Sequence, residues 1–342
     1  MSNICLYCGK SLNNSLFDWH NSCIKKMFNS SKLPNLDFNE DKIIEENIGQ
    51  GNTVTGVQKK FSLQKNVKAS RKTVSILNCE YIVKTPQESL PNITMFEWIG
   101  MKLASICNIK TVECGLIKYN DDYLYITKRI DRLNGKKIPM EDFCQLSNTQ
   151  TEYKYSGSYE KCYKNVIKEY SSYETVDKIK FYRLLLFSYI IGNTDMHLKN
   201  FSLFEKDGRY QLTPAYDLVP VLMVFNQEDM ALTLNGKTKN LTKNDFYKFG
   251  QYLGIETRII TQINKEICDK KGEMFDFINK TDLSQDNKEK FIDFISKKMA
   301  LFAWLLILKT YLVNTYIAKK VSYLNNKKTH IIIDKYCLYL IY

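Results

Sequence analysis

Hydrophobic and polar residues alternate along the first half of the chain in a pattern typical of β-strands. Short apolar runs bounded by polar residues predict strands at 74–77, 81–83 and 123–127. The segment 93–107 differs, because its apolar residues recur at three- and four-residue spacing and predict a helix, with Asn92 as the N-cap.

The pattern changes to helical spacing from about residue 139 onward. Predicted helices lie at 159–170, 176–191, 243–253, 257–268 and 286–308, and a strand pair at 201–204 and 210–212 interrupts them. A small strand-rich lobe followed by a larger helical lobe predicts an α+β fold with a cleft between the lobes.

This organisation divides the chain into four parts. Residues 1–28 form a small Cys/His module, 29–132 the N-lobe, 133–310 the helical C-lobe, and 311–342 a basic tail to which the sequence assigns no role.

Composition excludes several classes of protein. A hydrophobic content of 44% with 25% charged residues is that of a globular protein, which excludes wholesale disorder. The N-terminus has no signal-peptide-like apolar run, and the apolar run 299–308 is too short to span a bilayer. Most of the ten cysteines are scattered singly, so we expect a cytoplasmic protein with reduced thiols.

The formal net charge of +12 comes from two segments. Residues 57–72 carry +6 and the tail from Lys297 carries +7, which leaves the remainder of the chain near neutral. The first segment lies beside a glycine-containing loop, where positive charge suits a phosphate-bearing ligand better than it indicates general nucleic-acid binding.

The segment 192–200, Gly-Asn-Thr-Asp-Met-His-Leu-Lys-Asn, carries the clearest chemical signal. Asp195 is followed five residues later by Asn200, and a predicted hairpin separates both from Asp217. Kinase-like folds use this layout, with the first Asp accepting the proton of the attacking hydroxyl and the other two side chains holding Mg²⁺. The alternative is that all three are ordinary loop and turn residues.

Upstream residues occur in the order that a kinase requires. Gly49, Gly51 and Gly56 lie in a loop ahead of the strands, where backbone amides could approach phosphate oxygens. Lys84 ends the strand 81–84, and Glu97 on the following helix could pair with it. Each feature alone also occurs in hairpins, on solvated strand ends and on exposed helix faces.

Together these motifs resemble the HipA-like serine/threonine kinases, toxins of type II toxin–antitoxin modules. The resemblance covers roughly residues 48–255 and rests on the segments 55–61, 81–86, 90–94, 128–132, 141–145, 191–202 and 212–217. About 47 residues precede the glycine loop, as in the short HipT-like form of the family.

The resemblance implies a role for each matching position. It implies that Asp195 is the catalytic base, that Asn200 and Asp217 bind Mg²⁺, and that Lys84 binds the ATP phosphates. The phosphate loop would comprise Thr55, Gly56, Val57, Gln58, Lys59 and Lys60. The hinge beside adenine would comprise Lys128, Arg129 and Ile130, and the remaining nucleotide-lining residues would be His197, Leu198, Lys199 and Tyr216. Thr53 and Thr55 match the position of the serine that the family autophosphorylates.

The resemblance also implies substrates and partners. They are ATP and Mg²⁺, a protein substrate of which an aminoacyl-tRNA synthetase is typical, and small antitoxin proteins, with DNA bound only through an antitoxin and no membrane contact. Two other functions remain open from the residues: a small-molecule or lipid kinase on the same fold, and a weakly active binding subunit of a DNA-bound antitoxin complex.

The N-terminal module carries a second chemical signal. Cys5, Cys8, His20 and Cys23 follow the pattern Cys-x2-Cys-x11-His-x2-Cys, which could close a tetrahedral zinc site. So short a segment has little core of its own, which favours a metal. The alternative is reduced thiols packed against the small lobe.

Overall fold

A computed structural model describes residues 4–12, 18–33, 60–65, 74–75, 80–133, 136–225 and 230–302. The phosphate-loop positions from Thr53 to Lys59 and the tail beyond residue 302 lie outside the described residues. Predictions that concern them stay predictions.

The N-lobe is built on a five-stranded antiparallel sheet with the order β2-β1-β3-β5-β4. Its strands are β1 (Lys60–Lys65), β2 (Val74–Ser75), β3 (Tyr81–Lys84), β4 (Cys114–Tyr119) and β5 (Asp122–Lys128). The predicted strands 81–83 and 123–127 coincide with β3 and β5, and the predicted strand 74–77 coincides with β2 at 74–75, its last two residues lying outside the described residues. Lys84 ends the central strand β3, opposite Lys60 on β1 and Tyr125 on β5.

Helix α2 (Ile93–Ile106) packs against this sheet, after helix α1 (Asn21–Phe28) in the N-terminal module. The predicted helix is therefore confirmed, but Asn92 does not cap it with its side chain. Asn92 has a left-handed backbone with φ of 60° and makes no side-chain capping bond. A side-chain cap needs an extended backbone at this position.

The C-lobe is mainly helical, as the periodicity predicts. Its helices are α3 (Phe143–Leu146), α4 (Tyr159–Cys162), α5 (Lys168–Tyr170), α6 (Glu174–Ile191), α7 (Leu222–Phe225), α8 (Lys243–Tyr252), α9 (Thr257–Asp269), α10 (Lys271–Lys280) and α11 (285–302). A π-helical turn, Tyr163–Ile167, joins α4 to α5, so the predicted helix 159–170 is continuous. Helix α10 was not predicted.

Two small sheets complete the fold. β6 (Arg132–Leu133) pairs with β7 (Lys136–Lys137), and β8 (Met140–Asp142) joins the predicted hairpin of β9 (Ser202–Lys206) and β10 (Arg209–Leu212). The buried carboxylate of Asp177 on α6 accepts hydrogen bonds from the Leu212 amide and the Ser171 hydroxyl, each at 2.7 Å. This carboxylate therefore fixes the hairpin on helix α6.

The two lobes share one hydrophobic core around α2. Trp98 of α2 packs on Phe277 of α10 with ring centroids 5.3 Å apart, and Phe96 meets Phe291 of α11 edge-on at 6.0 Å. Because α2 also carries Glu97, this packing fixes an acidic side chain of the cleft relative to the C-lobe. Within the described ranges, no helix is both long and apolar enough to cross a bilayer.

Candidate active site

A cleft of about 690 Å³ lies between the lobes. Both lobes contribute polar side chains to its walls, as expected of a ligand-binding cleft. The predicted residues that line it are Lys84, Lys128, Arg129, Ile130, Asp195, His197, Lys199, Asn200, Tyr216 and Asp217.

Lys84 joins the two lobes across the floor of the cleft. Its Nζ lies 2.8 Å from both carboxylate oxygens of Glu97 and is also ion-paired with Asp217 of the C-lobe. Lys84 and Glu97 are buried, at 8% and 1% exposure. Burial opposes the charged ammonium, but the carboxylates of Asp217 and Glu97 outweigh it and raise the pKa of Lys84, which stays charged.

The backbone at Asp217 directs its carboxylate into the cleft. Its φ is +58°, in the left-handed region that asparagine and aspartate tolerate better than most residues. Just before it, the Tyr216 hydroxyl lies 2.6 Å from the Ser202 hydroxyl and 3.2 Å from the Lys199 carbonyl. These contacts tie the segment that carries Asp217 to the loop that carries Asn200.

The loop that carries Asp195 begins where helix α6 ends at Gly192. Gly192 has φ of +76°, and a Cβ there would lie 2.9 Å from the Phe294 ring, so both conformation and space require glycine. The Asn200 side-chain amide then donates to the Asp195 carbonyl at 2.7 Å. This bond holds the two ends of the loop together and leaves the Asn200 Oδ1 as its remaining acceptor.

Tyr155 supplies a contact to Asp195 that the sequence did not predict. Its hydroxyl donates to the Asp195 Oδ1 at 3.0 Å. Burial raises the pKa of Asp195, Tyr155 lowers it by hydrogen bonding, and the net shift is upward. A carboxylate in this environment is a stronger base than one in water.

His197 is held neutral beside Asp195. Its Nε2 lies 3.9 Å from the Asp195 carboxylate, and its ring meets Tyr155 edge-on with centroids 5.0 Å apart. Burial, assisted by the positive charge of Lys154, lowers the pKa of His197 to about 4. At neutral pH the imidazole therefore adds no charge to the site.

The remaining predicted residues divide between cleft and surroundings. Lys199 pairs with Asp142 at 2.8 Å, and Arg129 is held by Asp131 at 2.7 Å, so both cations are fixed at the cleft wall. Leu198, which was also predicted to line the nucleotide, is not among the residues that line the cleft, and its side chain packs in the hydrophobic core. Lys60 lies in strand β1 opposite Lys84.

Asp142, Lys154 and Tyr155 are among the cleft-lining residues that the sequence did not indicate as site residues. All three precede Asp195 by 40 residues or more, and Lys154 and Tyr155 lie in a polar segment that looks like an ordinary connection. Asp142 does carry a local signal, because it forms a capping box with Gln145 at the start of α3. That signal predicts a helix start and not a site.

Known proteins are similar to this chain in sequence. Y4dM of Sinorhizobium fredii, which is named as a kinase, is 27% identical over 64% of this chain and 58% of its own length. The serine/threonine-protein kinase toxin HipA of Shewanella oneidensis is 27% identical over 50% of this chain and 43% of its own length. The chain thus spans about half the length of these relatives.

A solved structure shows that the similarity extends to the fold. The Shewanella oneidensis HipA in a complex with HipB and operator DNA superposes with a TM-score of 0.61 at 18% identity, covering 78% of this chain and 70% of that one. The shared fold is the two-lobed protein-kinase-like fold, with the small sheet and larger helical part described above. A sequence profile of the HipA-like C-terminal domain matches residues 52–274, which contain every cleft residue discussed here, and the chain therefore belongs to the HipA-like C-terminal domain family.

Proposed function

We propose that this protein transfers the γ-phosphoryl group of ATP to a serine or threonine hydroxyl of a protein substrate. One observation carries the proposal: Lys84, anchored by Glu97, meets Asp217 in the cleft that also contains Asp195 and Asn200. Phosphoryl transfer depends on positioning and charge stabilisation, which this set of side chains supplies.

The side chains fit a magnesium ion. Mg²⁺ prefers oxygen ligands, and the Asn200 amide oxygen and the Asp217 carboxylate are the oxygens that would hold it. The Asn200 amide nitrogen is engaged with the Asp195 carbonyl, so its oxygen is the atom available to a cation. When bound, the ion would neutralise phosphate charge that develops during transfer.

The protein's own groups then carry out the remaining steps. The substrate hydroxyl oxygen forms a bond to the γ-phosphorus while the bond to the bridging oxygen breaks, and ADP leaves. Asp195 accepts the hydroxyl proton, which its burial favours. The Lys84 ammonium holds the phosphates, and Glu97 keeps that ammonium in place.

The substrate and partners follow from the family by analogy. HipA of Shewanella oneidensis is named a serine/threonine-protein kinase toxin and was solved with HipB and DNA. On that basis we propose an aminoacyl-tRNA synthetase as substrate, a small antitoxin protein as partner, and self-phosphorylation at Thr53 or Thr55.

The test is phosphoproteomics of the purified protein with Mg-ATP and a cell extract, with lipids and small alcohols as parallel acceptors. We expect phosphate on a protein, and we expect Asp195→Asn to reduce transfer roughly 10²- to 10⁴-fold. Asp286→Asn is the control, because Asp286 is exposed and pairs only locally with Lys290.

Two outcomes would contradict the proposal. Undiminished transfer by Asp195→Asn would exclude Asp195 as the base. Transfer that requires Asp195 but modifies only a lipid or a small alcohol would keep the mechanism and replace the proposed substrate class.

A further inference from the structure

A second cluster of reactive side chains lies in the N-terminal module. One ligand atom from each of Cys5, Cys8, His20 and Cys23 lies within 4.8 Å of the other three. The His20 Nδ1 is 3.4 Å from the Cys8 Sγ and 3.7 Å from the Cys23 Sγ. None of the four is used by the proposed kinase chemistry.

These separations match the edges of a coordination tetrahedron. With zinc–sulfur and zinc–nitrogen bonds of about 2.3 and 2.05 Å and a tetrahedral angle, the sulfur-to-nitrogen distance is about 3.6 Å. The two observed distances bracket this value.

The backbone presents the first pair of ligands in a tight turn. The Cys5 amide donates to the Lys10 carbonyl at 2.8 Å, and the Gly9 amide returns to the Cys5 carbonyl at 2.8 Å. Gly9 has φ of +73°, and a Cβ there would meet the Phe277 ring at 2.3 Å, so only glycine fits. The turn therefore holds Cys5 and Cys8 close together on the C-lobe surface.

The second pair comes from the start of helix α1. His20 is the residue before the helix, and Cys23 lies in its first turn, with the Cys23 amide bonded to the His20 carbonyl at 2.9 Å. The His20 Nε2 lies 3.0 Å from the Ser11 carbonyl, which can only accept, so Nε2 carries the proton. Nδ1 is then a lone-pair donor facing the sulfur atoms, the arrangement that metal-bound histidines adopt.

We propose that these four side chains bind one structural zinc ion in a closed Cys3His site. Thiolate and imidazole ligands select zinc over magnesium or calcium, and four protein ligands leave no open position for catalysis. Binding releases the thiol protons to solvent. The proposal does not depend on the proposed kinase activity.

The ion would stabilise a module that covers an edge of the N-lobe sheet. Leu116 on the edge strand β4 donates its amide to the Leu6 carbonyl and accepts a hydrogen bond from the Trp19 indole, both at 2.9 Å. Leu6 lies between the first two ligands, and Trp19 directly precedes His20. An ion that fixes the four ligands therefore also fixes Leu6 and Trp19, which form hydrogen bonds with the main chain of Leu116 at this edge.

The test is elemental analysis of the purified, desalted full-length protein, together with Cys8→Ser, Cys23→Ser and His20→Cys. We expect close to one zinc ion per wild-type chain, loss of most of it in both serine variants, and full retention in His20→Cys, which completes a four-cysteine site. Cys268→Ser is the control, because Cys268 lies in helix α9 outside the cluster, and it should keep its zinc.

A second measurement covers the case in which the serine variants do not fold. Co²⁺ exchanged into the wild-type protein should give the intense visible bands of a tetrahedral thiolate site. A metal-free wild-type protein, iron in place of zinc, a Cys5–Cys8 disulfide, or unchanged zinc in Cys8→Ser would each overturn the proposal.

Discussion

The catalytic cleft and the Cys/His module each bring polar side chains to one point, but by opposite means. The side chains of the cleft come from four parts of the chain spread across more than a hundred residues, at Lys84, Glu97, Asp195 and Asp217. The hydrophobic core that both lobes share holds these parts in position. The module's four ligand residues lie within 19 residues of one another, on one turn and one helix start.

The two regions should therefore respond differently to a single substitution. A cleft assembled by the whole fold can lose a functional group and keep its shape, because the core still supports the loop. A module too short to build a core of its own depends on its ligand cluster and on packing its buried apolar residues, such as Trp19, Ile24 and Phe28, against the rest of the chain. Variants in the cleft should therefore change activity, with a loss of stability where they leave a buried charge unpaired, whereas variants in the module should change stability alone.

The largest effect should come from Lys84→Met. This substitution removes the cation that lies between the carboxylates of Glu97 and Asp217. Because Glu97 is only 1% exposed, its charge would be left buried and unpaired, which costs about 3–5 kcal/mol of stability. Denaturant unfolding should show this loss, and phosphotransfer should disappear.

A double variant and a control sharpen this result. Lys84→Met with Glu97→Leu should regain part of the stability but no activity, because the buried charge is gone. Lys118→Met should lose less than about 1 kcal/mol, since Lys118 and Asp18 form an exposed pair. A double variant as unstable as Lys84→Met would contradict the explanation.

His197 in the cleft should make the free energy of unfolding of the protein depend on pH. Its pKa falls from 6.5 to about 4 on folding, so the unfolded chain takes up a proton that the folded protein does not. The contribution of His197 to the free energy of unfolding is therefore fully present above pH 6.5. It decreases by about 3 kcal/mol as the pH falls to 4. His197→Gln should flatten the melting temperature across that window, and an unchanged slope would assign the dependence to other groups.

Gly115→Ala tests how the module is docked. A Cβ at Gly115 would lie 2.5 Å from two atoms of the Trp19 ring, and such overpacking costs about 1–3 kcal/mol. The melting temperature should fall while the metal content is retained. Gly272→Ala is the control, because nothing lies within 4 Å of its Cβ, and it should not destabilise helix α10.

The smallest effect should come from Tyr155→Phe. Loss of the hydrogen bond to Asp195 removes stabilisation of the carboxylate, so the pKa of Asp195 rises further. The acid limb of the pH–rate profile should move upward by about 0.5–1 pH unit, the equivalent of one hydrogen bond. A downward shift would contradict the assigned direction of the bond.

The sequence predicted those features that are encoded by local spacing. Asp195 and Asn200 share one loop, and the amphipathic helix with Glu97 follows Lys84 directly, so order and periodicity were sufficient. Tyr155 could not be found this way, because its contact with Asp195 joins segments 40 residues apart and a polar loop carries no signal of its partner. Asn92 does occupy the predicted N-cap position, but its left-handed backbone and the absence of a side-chain capping bond could not be read from the sequence.

The cover on strand β4 also limits how other chains can recognise this kinase fold. Partners often bind by β-augmentation, in which an extended peptide pairs with an open sheet edge. At Leu116 both main-chain groups are already engaged by Leu6 and Trp19, so a peptide would have to displace the module before it could pair there. The N-terminal module thus acts as an intramolecular competitor for that edge.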